Sequence, residues 1–292
     1  MLRRARTVPV VFIEGGSMSK SKKWVALALA VALVLAVGLT GCAKKTDEGT
    51  TGETNGGEPA AVELKTIEAG KLLVGSDTAF PPFESMNGDV AEGFDVDLMK
   101  AIGEKLGLEV TFQTEIFDTL IPTLKAGGKF DVIASGMTIK PDRQLEIDFT
   151  DAYYDSNQSL VMKKGTAYTG PEQLAGKKIG VQSGTTGEAW AKENVEGATL
   201  VPFKNATDAF AALQAGNVDA VVNDLPVSTE LLKDDDRGME IVAQIPTGEQ
   251  YGFGVSKDNP DLTAAINKAL GELRADGTYN EIYQKWFGIL PE

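Results

Sequence analysis

The chemistry open to this 292-residue chain is limited first by what it lacks: it has no histidine and only one cysteine, Cys42. Nucleophilic sites built on a Ser-His or Cys-His pair therefore cannot form, and neither can the commonest zinc sites. With 28 Lys and Arg against 42 Asp and Glu, the net charge of −14 argues against a protein that binds nucleic-acid phosphates. The groups that remain are arginine, carboxylate, hydroxyl and amide side chains, which favour noncovalent binding.

Two places in the chain could hold an anion. Thr185 and Thr186 follow the β-rich run 178–184 and open a helix, where free backbone N–H groups and the positive end of the helix dipole favour an anion. The alternative for both residues is ordinary helix capping. Arg143 has a planar guanidinium that can make two parallel hydrogen bonds to a carboxylate. Judged from its Pro-Asp-Arg turn alone, however, Arg143 is an ordinary surface residue.

Alternating β-rich and helical segments beyond the first sixty residues predict the α/β fold that must position these side chains. Leu98, Ile102 and Leu106 recur at helical spacing before Gly107, and a second helix of this kind stops at Gly277. Each such helix presents one apolar face to a sheet. The β-rich runs are residues 72–77, 109–115, 131–135, 178–184, 199–203 and 219–224.

Residues 1–41 have the features of a secretion signal. The segment 24–41 is almost wholly apolar, follows several lysines and ends directly before Cys42. A membrane-spanning helix is the alternative, but its 18 residues are at the short limit for a hydrocarbon core of about 30 Å. Because Glu14 would fall inside the positively charged region of the signal, we expect translation to start at Met18.

The residues around Cys42 predict a membrane anchor. Leu39-Thr40-Gly41-Cys42 resembles a bacterial lipobox, which implies cleavage just before Cys42 and lipidation of its thiol. Two or three acyl chains hold a protein stably at a membrane, since each buried methylene contributes about 0.8 kcal/mol. Residues 42–63 are rich in Gly, Thr and Glu without an apolar period, which predicts a flexible tether behind the lipid.

Six longer segments carry a resemblance to a known family. They are VGSDTAFPPFES (74–85), GFDVDLMKAIGEKLGL (93–108), FDVIASGMTIKPDRQLEIDFTDAYY (130–154), KKIGVQSGTTGEAWAKEN (177–194), NVDAVVNDLP (217–226) and ADGTYNEIYQKWFG (275–288). In this order they resemble the polar amino-acid-binding proteins of bacterial ABC importers, solute-binding protein family 3, and most closely the glutamine-binding members. The resemblance extends from about Leu72 to the end of the chain.

The resemblance implies a type II periplasmic-binding-protein fold, in which two α/β lobes are joined by two crossover strands with a ligand cleft between them. Residues 64–156 and 249–292 would form lobe 1, and residues 157–248 would form lobe 2. Two extended runs, 159–164 and 251–257, are candidates for the crossover strands. Their local pattern is equally compatible with a single larger sheet.

The resemblance also implies a site for one free amino acid. Arg143 matches the arginine that receives the ligand α-carboxylate, and Asp224 matches the carboxylate that pairs with the α-ammonium. Asp224 could also cap the helix that begins near Pro226. The matched positions are Asp77, Phe80, Phe117, Ser135, Gly136, Thr138, Arg143, Gln182, Thr185, Thr186, Asn223 and Asp224.

Phe80 and Phe117 match the aromatic residues that sandwich the aliphatic stem of the ligand. Phenylalanine is usually a core residue. Phe80, however, lies in a turn-forming Ala-Phe-Pro-Pro stretch that is awkward to bury, so Phe83 is the better core candidate. Asp77 matches a carboxylate that contacts the ligand side chain.

The side-chain pocket departs from the glutamine-binding pattern at three positions. Gln182 stands where that pattern usually has lysine, Asn223 where it has histidine and Thr186 where it has glycine. Without the lysine, a second ligand carboxylate would face Asp77 unpaired, which disfavours glutamate. We expect glutamine first, through hydrogen bonds to Gln182, Asn223 and Asp77, and arginine or lysine second, with Asp77 as the counter-ion.

The resemblance therefore implies a monomeric extracytoplasmic lipoprotein that captures a polar amino acid and delivers it to an ABC permease and its ATPase. It implies no catalytic residue, no metal or other cofactor and no nucleic-acid partner. A lipid anchor favours a Gram-positive-type cell surface over a periplasm. Two alternatives use the same clamp: a cyclohexadienyl or arogenate dehydratase, and a ligand-sensing domain for a membrane receptor.

Overall fold

Two five-stranded mixed sheets organise the chain in a computed structural model, which describes residues 64–233 and 237–291. The predicted signal segment, Cys42 and the tether lie outside these residues. Within the two described ranges, no helix is long and apolar enough to span a membrane.

The strands are β1 (Lys71–Ser76), β2 (Ala79–Phe80), β3 (Glu84–Asn87), β4 (Val90–Glu92), β5 (Glu109–Thr114), β6 (Val132–Ile133), β7 (Asp148–Phe149), β8 (Tyr154–Lys163), β9 (Lys178–Gln182), β10 (Thr199–Phe203), β11 (Ala220–Asp224), β12 (Met239–Tyr251) and β13 (Gly254–Val255). The helices are α1 (Phe94–Leu106), α2 (Leu120–Ala126), α3 (Pro141–Glu146), α4 (Thr186–Asn194), α5 (Ala206–Ala215), α6 (Leu225–Leu232), α7 (Pro260–Asp276) and α8 (Thr278–Phe287). Short 3-10 helices cover Phe117–Thr119 and Pro171–Leu174.

Each sheet forms the centre of one half of the described chain. The first sheet has the order β5-β1-β6-β13-β7, with β5, β1 and β6 parallel and β13 antiparallel to both its neighbours. The second has the order β10-β9-β11-β8-β12, with β8 antiparallel to both its neighbours. We call the parts around these sheets the first half and the second half. The predicted α/β alternation is confirmed, since every predicted β-rich run overlaps a strand.

Strands β8 and β12 pair with each other and connect the two halves. Their last paired residues are Tyr154 and Tyr251, and the register shifts between Ile245 and Glu249. Tyr251 also forms an isolated bridge with Thr138 of the first half. The halves are thus linked by two strands that lie side by side, and the predicted lobe boundaries fall inside these strands.

Most of β12 was absent from the predicted β-rich runs. Pro246, Thr247 and Gly248 in its middle have the composition of a turn, yet all three belong to the strand. The structure accommodates them where the pairing with β8 is irregular. The local composition is therefore consistent with the irregular pairing but did not predict the strand.

An aromatic cluster fills the first half beside α1. Phe83 is fully buried, as predicted, with its ring centroid 4.9 Å from that of Tyr154 and 6.2 Å from that of Phe94. A Cβ atom at Gly93 would lie 2.0 Å from the carbonyl oxygen of Phe83, so only glycine permits this approach. The cluster holds the start of α1 against the chain that enters β3.

Candidate functional site

The candidate site lies where strands of both sheets end. Asp77 directly follows β1, Gln182 ends β9 and Asp224 ends β11. In open α/β sheets, ligands bind beyond the carboxyl ends of parallel strands. All three side chains are buried, with exposed fractions of 4% or less.

Direct hydrogen bonds join the two halves at this site. Gln182 Nε2 of the second half donates to Asp77 Oδ2 of the first at 2.7 Å. Arg143 Nη2 of the first half donates to the Gly184 carbonyl oxygen of the second at 2.9 Å. A Cβ atom at Gly184, whose φ is 76°, would lie 2.9 Å from Asp118 Cβ. The cleft between the halves is therefore closed.

Arg143 is a buried residue of α3 rather than a surface residue. Its side chain is 7% exposed, and Nη1 donates to the Thr138 carbonyl oxygen at 2.9 Å. Its guanidinium carbon lies 5.3 Å from the centroid of the Phe117 ring, within the range of a cation–π contact. The surface alternative left open by the Pro-Asp-Arg turn is thus excluded.

Asp224 precedes α6, but its side chain makes no capping hydrogen bond. Its carboxylate instead accepts from Gln158 Nε2 at 2.7 Å and from the Tyr251 hydroxyl. Burial, followed by the charge of Glu249, raises the pKa of Asp224 to about 7. Side chains of the cleft, and not the start of α6, therefore bind the Asp224 carboxylate.

Thr185 and Thr186 have different roles at the start of α4. Thr185 Oγ1 accepts from the Glu188 backbone N–H at 3.2 Å, so the capping alternative holds for Thr185. Thr186 Oγ1 donates to Glu249 Oε2 at 2.7 Å. Only Thr186 presents its hydroxyl to a side chain of the site.

Glu249 and Gln158 are site residues that the sequence analysis missed. Glu249 Oε2 also accepts from Thr138 Oγ1 at 2.8 Å, and Oε1 accepts from Gln158 Nε2 at 3.2 Å. Glu249 thus connects a hydroxyl of the first half with one of the second. The signal that could have found it is its place in a polar stretch just before the extended run 251–257.

Asp77 is surrounded by further carboxylates. Burial, opposed in part by the hydrogen bond from Gln182, raises the pKa of Asp77 to about 6, and the charges of Asp118 and Asp208 add to this rise. Asp118 belongs to the first half and Asp208, on α5, to the second. The Asp77 backbone N–H donates to Ser135 Oγ at 2.9 Å, which places Ser135 beside it.

Phe80 is buried, contrary to the expectation that its turn would keep it out of the core. It is 6% exposed, and its ring centroid lies 6.2 Å from that of Phe83. Gly136 has φ 51°, and a Cβ atom there would lie 3.0 Å from the Phe80 ring. The missing side chain at Gly136 therefore makes room for the ring. Phe117 is buried to a similar degree, with 9% exposed.

Three amide atoms of the site are buried without a hydrogen-bond partner among the described residues: Gln158 Oε1, Gln182 Oε1 and Asn223 Nδ2. Buried polar atoms are normally paired, so all three are suited to meet a bound group. No set of three or more His, Cys, Asp or Glu residues in the described ranges could hold a metal ion.

Comparison with known proteins adds an independent finding. Residues 72–289 match the family model of the bacterial extracellular solute-binding proteins, family 3. ABC transporter arginine-binding protein 1 of Escherichia coli (strain K12) is 36% identical over 226 residues, which cover 75% of this chain and 91% of that protein.

Two solved structures are similar over most of the described chain. An ancestral arginine-binding protein bound to glutamine is 44% identical with a TM-score of 0.73, covering 76% of this chain and 100% of the other. An ancestral amino acid-binding protein that is a precursor of cyclohexadienyl dehydratase is 38% identical with a TM-score of 0.70, covering 75% of this chain and 96% of the other.

Proposed function

The chain belongs to family 3 of the bacterial extracellular solute-binding proteins and has their two-lobed type II fold, and from this premise we propose that it is the substrate-binding protein of an ABC importer for a polar amino acid. It captures the amino acid outside the cytoplasm and delivers it to a membrane permease with its ATPase. The observation that carries the proposal is a pair of opposite charges, Arg143 and Asp224, buried in the two halves of one cleft.

A free amino acid fits this pair because it carries both complementary charges on one carbon. Arg143 binds the α-carboxylate, with the Thr138 hydroxyl and the Thr186 end of α4 beside it. Asp224 accepts the α-ammonium. Each charge-assisted hydrogen bond contributes about 1.5–3 kcal/mol, and a micromolar ligand needs about 8 kcal/mol in total. Two such contacts contribute about 3–6 kcal/mol, so the aromatic residues and the contacts to the ligand side chain must supply the remainder and offset the ordering costs.

Glu249 places a second negative charge near Asp224, which favours a cation at this position. Its charge is the second cause, after burial, of the raised pKa of Asp224. An ammonium group near both carboxylates relieves their repulsion, because an opposite charge favours the ionised form. Glu249 therefore favours ligands with a free α-ammonium over acids that lack one.

The carboxylates around Asp77 favour a cationic ligand side chain. Asp118 and Asp208 approach Asp77 from opposite halves, and their charges raise its pKa together with burial. A guanidinium or ammonium placed there would pair with Asp77 and would be attracted by the charges of Asp118 and Asp208. We therefore place arginine or lysine before glutamine, which reverses the order expected from the sequence. The similarity to ABC transporter arginine-binding protein 1 supports this order.

Glutamine remains the second ligand. Gln182 Oε1 and Asn223 Nδ2, both buried and unpaired in the described residues, could accept from and donate to a ligand amide. Phe80 and Phe117 would contact the aliphatic stem of either ligand, since both rings lie beside the binding loops.

Closure of the two halves is the proposed capture step. The hydrogen bonds from Gln182 to Asp77 and from Arg143 to the Gly184 carbonyl exist only when the halves meet. A ligand that contacts both halves shifts the population toward this closed form. The permease then distinguishes the loaded clamp from the open one by its shape.

Calorimetric titration against the twenty amino acids tests the proposal. The purified protein is first unfolded and refolded to remove carried-over ligand. Tight one-to-one binding of arginine or lysine, with weaker binding of glutamine, is the expected result. Tightest binding of glutamine would restore the order expected from the sequence, and binding of no amino acid would overturn the function.

Lipid attachment at Cys42 is the proposed link to the membrane. Export and lipidation would place the domain at the outer face of the cell membrane, on its tether of residues 42–63. Mass spectrometry of the N-terminal peptide from membranes should show an acylated Cys42. A Cys42→Ala variant should leave the membrane fraction, and unchanged membrane retention of that variant would contradict the anchor.

A dehydratase is the second candidate function. It is favoured by the similarity to a precursor of cyclohexadienyl dehydratase and by Asp224, because burial raises the pKa of that carboxyl to about 7, where a general acid is effective. Incubation with prephenate and with arogenate decides between the candidates. Turnover that Asp224→Asn abolishes would support the enzyme, and no turnover with either compound would leave binding alone.

A further inference from the structure

Two carboxyl groups that the proposed ligand contacts do not use are buried together in the first half. Glu84, at the start of β3, and Asp95, in the first turn of α1, are both 0% exposed. The Asp95 backbone N–H donates to the carbonyl oxygen of Phe83, the residue before Glu84, at 3.0 Å, so the start of α1 packs against the chain entering β3. Neither forms a salt bridge with a described residue. Two adjacent buried carboxylates without a cation would be costly.

Each carboxyl group uses one oxygen to hold the same loop of the site. Glu84 Oε1 accepts from Ser135 Oγ at 2.7 Å. Asp95 Oδ2 accepts from the Gly136 backbone N–H at 2.9 Å and from the Tyr153 hydroxyl at 2.7 Å. The other two oxygens, Glu84 Oε2 and Asp95 Oδ1, are buried and have no hydrogen-bond partner in the described part of the chain. A proton on either carboxyl would remove one of the two buried negative charges, which is favourable because like charges in one buried site oppose ionisation.

We propose that Glu84 and Asp95 share one proton at neutral pH and that this pair holds the ligand-binding loop in position. The pair acts through Ser135 and Gly136. Ser135 Oγ in turn accepts from the Asp77 backbone N–H at 2.9 Å, so the same network reaches the residue beside the ligand side chain. The positioning role rests on the proposed function, whereas the shared proton does not.

The titratable groups that face the pair are Asp77, Asp224, Tyr153 and Tyr251. Burial and the charge of Asp95 raise the pKa of Glu84 well above its usual range, with Asp77 and Asp224 adding to the rise. Burial raises the pKa of Asp224 to about 7 and that of Asp77 to about 6. Burial also raises the pKa of both tyrosines, which stay neutral. At about pH 8.5 Asp77 and Asp224 are both ionised, so any carboxyl proton that remains in this region belongs to the Glu84–Asp95 pair.

The pH dependence of stability provides the test. Both carboxyls ionise in the unfolded chain near their ordinary pKa of about 4, so a pair that keeps one proton makes folding take up a proton. The folded state then binds more protons, and the folding equilibrium constant falls about tenfold per pH unit for that proton. In Glu84→Gln the side chain cannot take up the proton, while its amide oxygen can still accept from Ser135. In the wild type this proton makes the folding equilibrium constant fall about tenfold per pH unit between about pH 6 and pH 8. We expect that contribution to be absent in Glu84→Gln.

Infrared spectroscopy and binding complete the test on the purified protein. At about pH 8.5 the wild type should show the carbonyl band of a protonated carboxylic acid, and Glu84→Gln should lack it. Glu84→Ala, which removes the acceptor for Ser135, should weaken arginine binding at least about tenfold, and Glu84→Gln, which keeps an acceptor oxygen, should weaken it less. Glu104→Gln, an exposed position on α1, is the matched control and should change none of these quantities.

Equal pH slopes of stability for the wild type and Glu84→Gln, or a carbonyl band that persists in Glu84→Gln, would overturn the shared proton. Wild-type arginine affinity in Glu84→Ala would overturn the positioning role. If the wild type binds no amino acid, the proposed function fails, but the slope and the carbonyl band still decide whether the pair holds a proton.

Discussion

The two ends of the cleft differ in their balance of charge. At the Arg143 end, a guanidinium lies with the carboxylates of Asp224 and Glu249, so both signs are present. At the Asp77 end, the charges that act on Asp77 are carboxylates, those of Asp118 and Asp208. On the proposed function, the Arg143 end binds the backbone that all free amino acids share. The Asp77 end then selects among their side chains.

Loss of the guanidinium should have the largest effect, because it removes the group that every ligand needs. Arg143→Ala should lower the affinity for arginine and glutamine alike by about a hundredfold or more, as expected for a bidentate charged contact. Calorimetry measures both affinities. Lys140→Ala, one turn away with a half-exposed ion pair to Asp142, is the control and should bind normally. Retained affinity in Arg143→Ala would contradict the assignment of Arg143 to the ligand α-carboxylate.

A change at the Asp77 end should separate the two ligands. Asp77→Asn keeps an acceptor for Gln182 Nε2 but removes the charge, so arginine affinity should fall about tenfold to a hundredfold. Glutamine affinity should change by less than about threefold, since an amide needs no counter-ion. Parallel titrations with the two ligands measure the ratio. An equal loss for both would show that Asp77 does not discriminate between side chains.

The two ends should also differ in pH dependence. A cation binds an ionised carboxylate, so ligand affinity falls as pH drops through the pKa of that carboxylate in the free protein, by up to about tenfold per pH unit. Burial raises the pKa of Asp224 to about 7, so arginine and glutamine should both weaken below that pH. Because burial raises the pKa of Asp77 only to about 6, arginine should weaken further below pH 6.

Titrations of arginine and glutamine from about pH 8 to pH 5 measure this difference. The ratio of the two affinities should be constant in the upper range and fall in the lower one. In Asp77→Asn the ratio should no longer change with pH. A ratio that is constant in the wild type would contradict the assignment of the Asp77 end to the ligand side chain.

Glu249 should have the smallest effect on affinity but a clear effect on its pH dependence. Glu249→Gln can still accept from Thr138 and Thr186, so affinity near pH 7.5 should change by less than about threefold. Removal of the charge lowers the pKa of Asp224, so the pH at which both ligands weaken should shift downward. Glu240→Gln on the same strand is the control for charge. An unshifted profile in Glu249→Gln would show that the two carboxylates are not coupled.

The convergence of the site was predictable in part from residues that lie at strand ends. Asp77 and Asp224 end predicted β-rich runs, and Gln182 lies near the end of a third. Parallel strands bring Gln182 and Asp224 to one edge of the second sheet, but Asp77 follows a strand of the first sheet, and only the family resemblance placed it with them. Glu249 was not predictable in this way, since it bonds Thr138 and Thr186 at sequence separations of 111 and 63 residues. No local pattern encodes contacts of that range.

The sequence alone also could not decide whether a polar residue before a helix caps that helix or contacts the ligand. Thr185 and Asp224 both precede helices, and the sequence left both as caps or ligand contacts. Both residues occupy the N-cap position of a helix, but only the Thr185 side chain makes a capping hydrogen bond. The difference lies in tertiary partners, because Gln158 and Tyr251 occupy the Asp224 carboxylate. The export signal and the lipid on Cys42 remain predictions from sequence.

The place of β13 in the first sheet sets an order of assembly. β13, Gly254–Val255, inserts between β6 and β7, although the whole second half separates it from β7 along the chain. The second sheet needs only strands that end by Tyr251. A chain that emerges from an export channel amino end first can therefore complete its second sheet before its first. If the chain is exported in this way, its first sheet is complete only after β13 has emerged, so we expect ligand binding to be a late event of maturation.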